Sequence, residues 1–465
     1  MDGRESILSH TLRQSLPQTQ QLRKLNMLRA KLNPTHAEQV RRWQGATVLC
    51  STLITAAIYS IIARSLGPRI FGSCLFAQWL ATVTVPIIGT GMSTLSSRQL
   101  AATQSRESPR LIAGVFYFLW YRQHRSILLY CLVYIVLALL LQHILRASSF
   151  SPGLLLLSSL ATLPLLLSSV AGTTLRSLRR ADLLTMLHLF GSLLTLIFVL
   201  LATQIAGRPA EAFILAFAFS GTLTLALAVI CVVRLLPLDQ AIQPGIFLRE
   251  RLTHSFNLSC LHFVLDAIIW QRSELLLLAY WHDPAQIGFY ALSASISTCV
   301  IGIAPAFFSQ WLFPLVLRYL PGHRYVNPYD AFVKTSCYII FLAVPICALV
   351  MLFCASAIVH TLGPAYLPMI KPLRILLIAA VFGSVATVSL THIATIEQER
   401  QHNVQRVQRR LNVGIAVIKI LLAIPLIWLW GLTGAAIASA AAQIASALAS
   451  ILLCHKHLRH YENAG

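Results

Sequence analysis

LGPRIFG at residues 66–72 and HDPAQIG at residues 282–288 interrupt two long apolar runs in the same way. In each, a proline precedes a glycine by four places: Pro68 before Gly72, Pro284 before Gly288. Proline fixes φ and glycine permits a tight reversal, so both stretches read as turns between neighbouring spans. The offset is 216 residues, close to half of the 465-residue chain. The same offset relates Pro152 to Pro368, and Arg179-Arg180 has a counterpart in Arg409-Arg410. These correspondences predict a parallel internal duplication, with two lobes related by an axis along the membrane normal.

Working outward, the chain is 57% hydrophobic and 11% charged, with a mean hydropathy of +0.72. Soluble domains are about 25% charged, so most of this surface requires lipid as its solvent. Twelve apolar runs are long enough to cross a bilayer: 45–66, 72–95, 126–146, 153–175, 183–205, 211–233, 254–280, 286–311, 335–358, 372–396, 411–430 and 433–454. They exceed the roughly 9–11 residues a membrane strand needs, which predicts helices. The expected fold is an all-α integral membrane protein with twelve transmembrane helices in two six-helix lobes. The expected boundaries are a basic N-terminal arm (1–44), an N-lobe (45–233), an inter-lobe linker (234–253), a C-lobe (254–454) and a tail (455–465).

Net charge is +21. Of the 36 lysines and arginines, 28 fall on one set of alternating segments and six on the other. That asymmetry predicts cytoplasmic N- and C-termini and argues against nucleic acid as the basis of the charge. Trp43, Trp120 and Trp311 fall at the inner interface, and Trp281, Trp428 and Trp430 at the outer one. The arm lacks an apolar signal core, and its Thr35–Glu38 stretch reads as a capping box. Ten cysteines without a C-x-x-C read as small buried hydrophobes, so no metal or cofactor is expected. The longest outer loop, 359–371, is too short for a soluble catalytic domain, so no catalytic residues are assigned.

ARSLGPRIFG followed by SSRQLA, the stretch RSELLLLAYWHDPAQIGFYALSASIS, and PAFFSQWLFPLV, HTLGPAYLPMIKPLRIL and WGLTGAAIASAAAQIASAL resemble the polysaccharide-biosynthesis flippases, the Wzx-type exporters of the MOP superfamily. The likeness covers roughly residues 40–455. It implies a V-shaped, MATE-like transporter of the bacterial inner membrane. The implied substrate is an oligosaccharide repeat unit (O-antigen, capsule or exopolysaccharide) linked through pyrophosphate to undecaprenol. Membrane lipids and the polysaccharide polymerase and chain-length machinery are the implied partners. Where members often carry a lone acidic residue in span 7, this chain has Arg272-Ser273-Glu274.

Such a substrate needs a wet lumen, because an unpaired charge in hydrocarbon costs several kcal/mol. Arg272 and Lys419 lie deep in spans and are the first candidates for pyrophosphate contact. The competing readings are structural pairing with an acid and, for Lys419, snorkelling to the inner interface. At 100° per residue, Arg272 lies about 120° from Asp266 and 160° from Glu274, which disfavours a pair within one helix. Arg64 and Arg146, at outer span ends, are candidates to line the exit. Asp266 and Glu274 are candidates for ion coupling or for a structural salt bridge. Thr55 and Tyr59 in span 1, and Gln78 and Thr82 in span 2, lie on polar stripes suited to sugar hydroxyls or to helix–helix hydrogen bonds. His188 reads as a packing histidine. The main alternative is a MATE-type multidrug/cation antiporter, which would want an acidic lumen. A lipid II flippase would be expected to carry two further spans. A polymerase or ligase would need a larger external loop.

Overall fold

A computed structural model describes residues 34–85, 109–144, 151–178, 180–205, 209–243, 245–246, 249–250, 272–307, 328–397 and 403–462, and every regular element among them is helical. The α-helices are α1 (Pro34–Val85), α2 (Pro109–Ile144), α3 (Pro152–Ser177), α4 (Ala181–Ala202), α5 (Pro209–Leu235), α6 (Glu274–Trp281), α7 (Pro284–Phe307), α8 (Pro328–Thr361), α9 (Ile370–Glu397) and α10 (Asn403–Glu462). Six start on proline, whose missing N–H costs nothing in a first turn. Ser151 caps α3 through its side chain.

Nine helices among the described residues are long and apolar enough to cross a membrane. At 1.5 Å per residue, the 52 residues of α1 and the 60 of α10 would reach about 78 and 90 Å, against about 30 Å of hydrocarbon. Each is in fact two helices meeting at a glycine of positive φ, Gly67 (71°) in α1 and Gly431 (53°) in α10. The chain is therefore a multi-pass helical membrane protein. Leu53, Leu128, Phe341, Leu352 and Leu421 are well exposed on its outer surface, as lipid-facing side chains are. The small residues Ala435, Ala436, Ala438 and Ala442 are buried, and α10 packs along α9.

Helices α1 to α5 pack on one another, as do α6 to α10, and the main seam between the two sets is α1 against α7. The two turns quoted above meet there. A Cβ on Gly72 would stand 1.9 Å from the Pro284 carbonyl oxygen, and one on Gly288 would stand 3.0 Å from that of Pro68. This corrects the sequence reading of these glycines. The reversal in the first turn is made by Gly67, and in the second by extended His282 ahead of α7. Gly72 and Gly288 lie inside helices and let two backbones touch. Arg69 and Asp283 form an exposed ion pair at 3.6 Å on the same seam.

Tyr366 closes the seam from within. It sits in a short 3-10 turn, Pro364–Met369, and its hydroxyl donates to the Ala63 carbonyl at 2.7 Å. Its ring meets Phe71 and Phe289 edge-on. Pro368, matched to Pro152 by the 216-residue offset, lies inside this turn ahead of α9, whereas Pro152 opens α3. The start of the linker is docked rather than loose: the Ile242 N–H donates to the Arg110 carbonyl, and Gly114 of α2 abuts the Ile242 carbonyl. Cys74, Cys347, Cys354 and Cys454 are buried as expected, whereas Cys50, Cys299 and Cys337 are exposed.

Candidate functional site

Among the described residues, Arg272 alone has positive φ without being glycine (61°). Helix α6 begins two residues later, at Glu274. A single helix over 254–280 was the expectation; at Arg272 the helical path is broken, and residues 254–271 lie outside the described residues. The 160° offset between Arg272 and Glu274 does not hold across such a break. A left-handed residue costs about 1–2 kcal/mol, so neighbouring contacts must hold it there.

Those contacts come from two sides. The Arg272 Nη2 donates to Ser295 Oγ of α7 at 2.9 Å. Glu274 Oε1 lies 2.8 Å from Lys419 Nζ of α10, with the two side chains 0% and 1% exposed. Just beyond, Leu275 and Leu278 are fully buried. Helical rise gives the depth. Arg272 is nine residues before the end of α6, Ser295 eleven after the start of α7, Tyr59 eight before Gly67 and Lys419 twelve before Gly431. Each lies about 12–18 Å from the end bearing the turns, near the middle of a bilayer.

Arg272 is partly exposed and faces the seam between the two helix sets. Tyr59 of α1, and Tyr290 and Cys299 of α7, lie within electrostatic reach of its guanidinium. Ion pairs among the described residues join Arg69 to Asp283, Arg180 to Asp182 and Lys419 to Glu274; none includes Arg272. A guanidinium offers five N–H donors, and the bond to Ser295 uses one of them. The remainder suit an anion with paired oxygens. Lys419 is neither open to a lumen nor snorkelling in this structure. Its ammonium faces Glu274 inside the second helix set.

The other candidates fall as follows. Arg64 is exposed near the turn end of α1. Arg146 and Asp266 lie outside the described residues. The Thr55 hydroxyl is exposed and donates to the Ser51 carbonyl, and that of Thr82 to the carbonyls of Gln78 and Trp79. Their protons are satisfied within their own helices, leaving lone pairs to accept. Gln78 is partly buried. Tyr59 is partly buried beside Phe217, with ring centroids 6.3 Å apart. His188, read as a packing residue, is exposed on α4.

The sequence reading missed Ser295, whose role comes only from a neighbouring helix. It also missed Tyr130 and Tyr134, buried and stacked on α2, with hydroxyls bonded to Thr162 and Ser158 of α3. Their i, i+4 spacing inside an apolar run was a usable signal.

No family model and no curated protein matches the sequence. Solved structures do match the fold. A lipid II flippase, MurJ, in an inward closed conformation aligns with a TM-score of 0.63 at 13% identity, covering 87% of each chain. A multidrug resistance MATE family transporter of the MOP superfamily, inward-facing, aligns with a TM-score of 0.67 at 12% identity, covering 89% of this chain and 96% of the other. A eukaryotic MATE transporter gives 0.56 at 13%, covering 92% and 98%. The fold is thus that of a multi-helix membrane transporter. More narrowly, it is a fold shared with the lipid II flippase MurJ and with MATE family transporters.

Proposed function

We propose that the protein is a flippase that moves polyprenyl-pyrophosphate-linked oligosaccharide units across the bacterial inner membrane by alternating access. The observation that carries this is Arg272: a partly exposed residue at mid-membrane depth, facing the seam, its guanidinium bonded to Ser295 and with no carboxylate paired to it among the described residues. The pyrophosphate would take donors other than the one given to Ser295. The sugars would meet the acceptor oxygens of Tyr59, Gln78, Thr55 and Thr82, while the polyprenol tail stays in lipid. Arg64 and Arg146 would line the exit.

In this reading both termini are cytoplasmic, residues 45–233 and 254–454 are the two lobes, and the Gly72–Gly288 seam closes the outer side. Surface-polysaccharide polymerase and chain-length proteins would act on the product. A MATE-type antiporter of cations is the rival on the same fold. It is disfavoured because Glu274 is matched to Lys419, so among the described residues a cationic substrate would meet Arg272 instead of a free acid at this depth.

The test is genetic complementation. A deletion strain is scored for surface polysaccharide and then supplied with the unchanged chain or with Arg272→Ala. Restoration by the first and a loss of at least about tenfold with the second is expected, since charge-assisted contacts to a diphosphate are lost. Full restoration by Arg272→Ala contradicts the assignment.

A further inference from the structure

Glu274 is two residues from Arg272 and within electrostatic reach of it. A carboxylate that close, in surroundings of low dielectric, is a competitor for the guanidinium against any incoming anion. The structure directs it elsewhere. Its Oε1 lies 2.8 Å from Lys419 Nζ, and both side chains are sealed from solvent. A buried ion pair is no better for stability than packed apolar side chains, so stability alone does not account for three charges at one depth of a bilayer.

We infer that Lys419 is a positioning residue: it sequesters Glu274 and so keeps the Arg272 guanidinium free for the substrate anion. The inference rests on the reading of Arg272 as the anion contact. It adds that the second intramembrane cation touches no substrate and acts through the first. Two features fit this division of labour. Arg272 has a left-handed backbone and bonds Ser295 of α7. Glu274 opens α6 on the side packed against α10.

The experiment measures binding of geranyl pyrophosphate to the full-length protein in lipid nanodiscs, with geraniol as the uncharged control. Lys419→Met releases Glu274 and is expected to weaken binding about tenfold, the scale of one charge-assisted contact. Glu274→Gln breaks the same pair but removes the competitor, so affinity is retained or raised. Glu274→Gln/Lys419→Met restores affinity to within about twofold of the unchanged chain. A purely structural pair predicts otherwise, since either single change would then damage binding alike. Equal losses in Lys419→Met and Glu274→Gln, or full affinity in Lys419→Met, would overturn the inference. Arg272→Ala separates the two levels: undiminished binding there would overturn the anion-site reading itself, and the inference with it.

Discussion

Arg272 combines an unfavourable backbone with a favourable position. Its φ of 61° suits glycine better than any residue with a Cβ. Arg272→Gly should therefore unfold with a stability about 1 kcal/mol above that of Arg272→Ala, because only alanine keeps the left-handed strain. Both should lose anion binding to the same degree. Denaturation monitored by tryptophan fluorescence, beside a pyrophosphate titration, checks both halves; equal stabilities would show that the strain is not real. The Glu274–Lys419 pair makes a second residue-scale prediction. Lys419→Met should cost about 3–5 kcal/mol by breaking a buried ion pair, and Glu274→Gln/Lys419→Met should recover most of it. The Arg69–Asp283 pair differs, with side chains 74% and 56% exposed; Arg69→Ala should cost at most about 1 kcal/mol, less at high salt. Sequence alone identified Arg272, Glu274 and Lys419 as the charges to explain. It did not pair them, because the partners come from helices separated by more than a hundred residues.

Elements meet where side chains are smallest. A Cβ on Gly72 would fall 1.9 Å from a backbone carbonyl oxygen, which no rotamer change can relieve, whereas one on Gly288 would fall at 3.0 Å. Gly72→Ala should therefore push α1 from α7 and lower the melting temperature more than Gly288→Ala does. Thermal unfolding of the two variants in detergent gives the order, and the reverse order would contradict the seam. The apolar runs were legible because lipid demands long unbroken hydrophobic stretches. The use of Gly72 and Gly288 was not. Glycine serves a turn and a close helix contact equally well, and only the partner backbone distinguishes them. The break before α6 was hidden for a related reason: arginine carries no signal for a left-handed backbone.

At the scale of the whole molecule, two helix sets share a seam closed at one end by Gly72, Gly288 and Tyr366. Charge at mid-depth is confined to Arg272 and the neutral Glu274–Lys419 pair among the described residues of this level. In the proposed topology, with the segments rich in basic residues cytoplasmic, the closed end faces outward. An Asp283→Cys variant should accordingly react with a membrane-impermeant thiol reagent added from outside; labelling only after the membrane is opened would reverse the topology. As a flippase, the protein would pass a pyrophosphate-linked sugar headgroup along this seam. The most direct test is transbilayer movement of an undecaprenyl-pyrophosphate-linked oligosaccharide in proteoliposomes, read by access of an external glycan-modifying enzyme. Transfer should exceed that of protein-free vesicles and fall at least about tenfold with Arg272→Ala. Transfer no faster than in protein-free vesicles, or unaffected by Arg272→Ala, would contradict it.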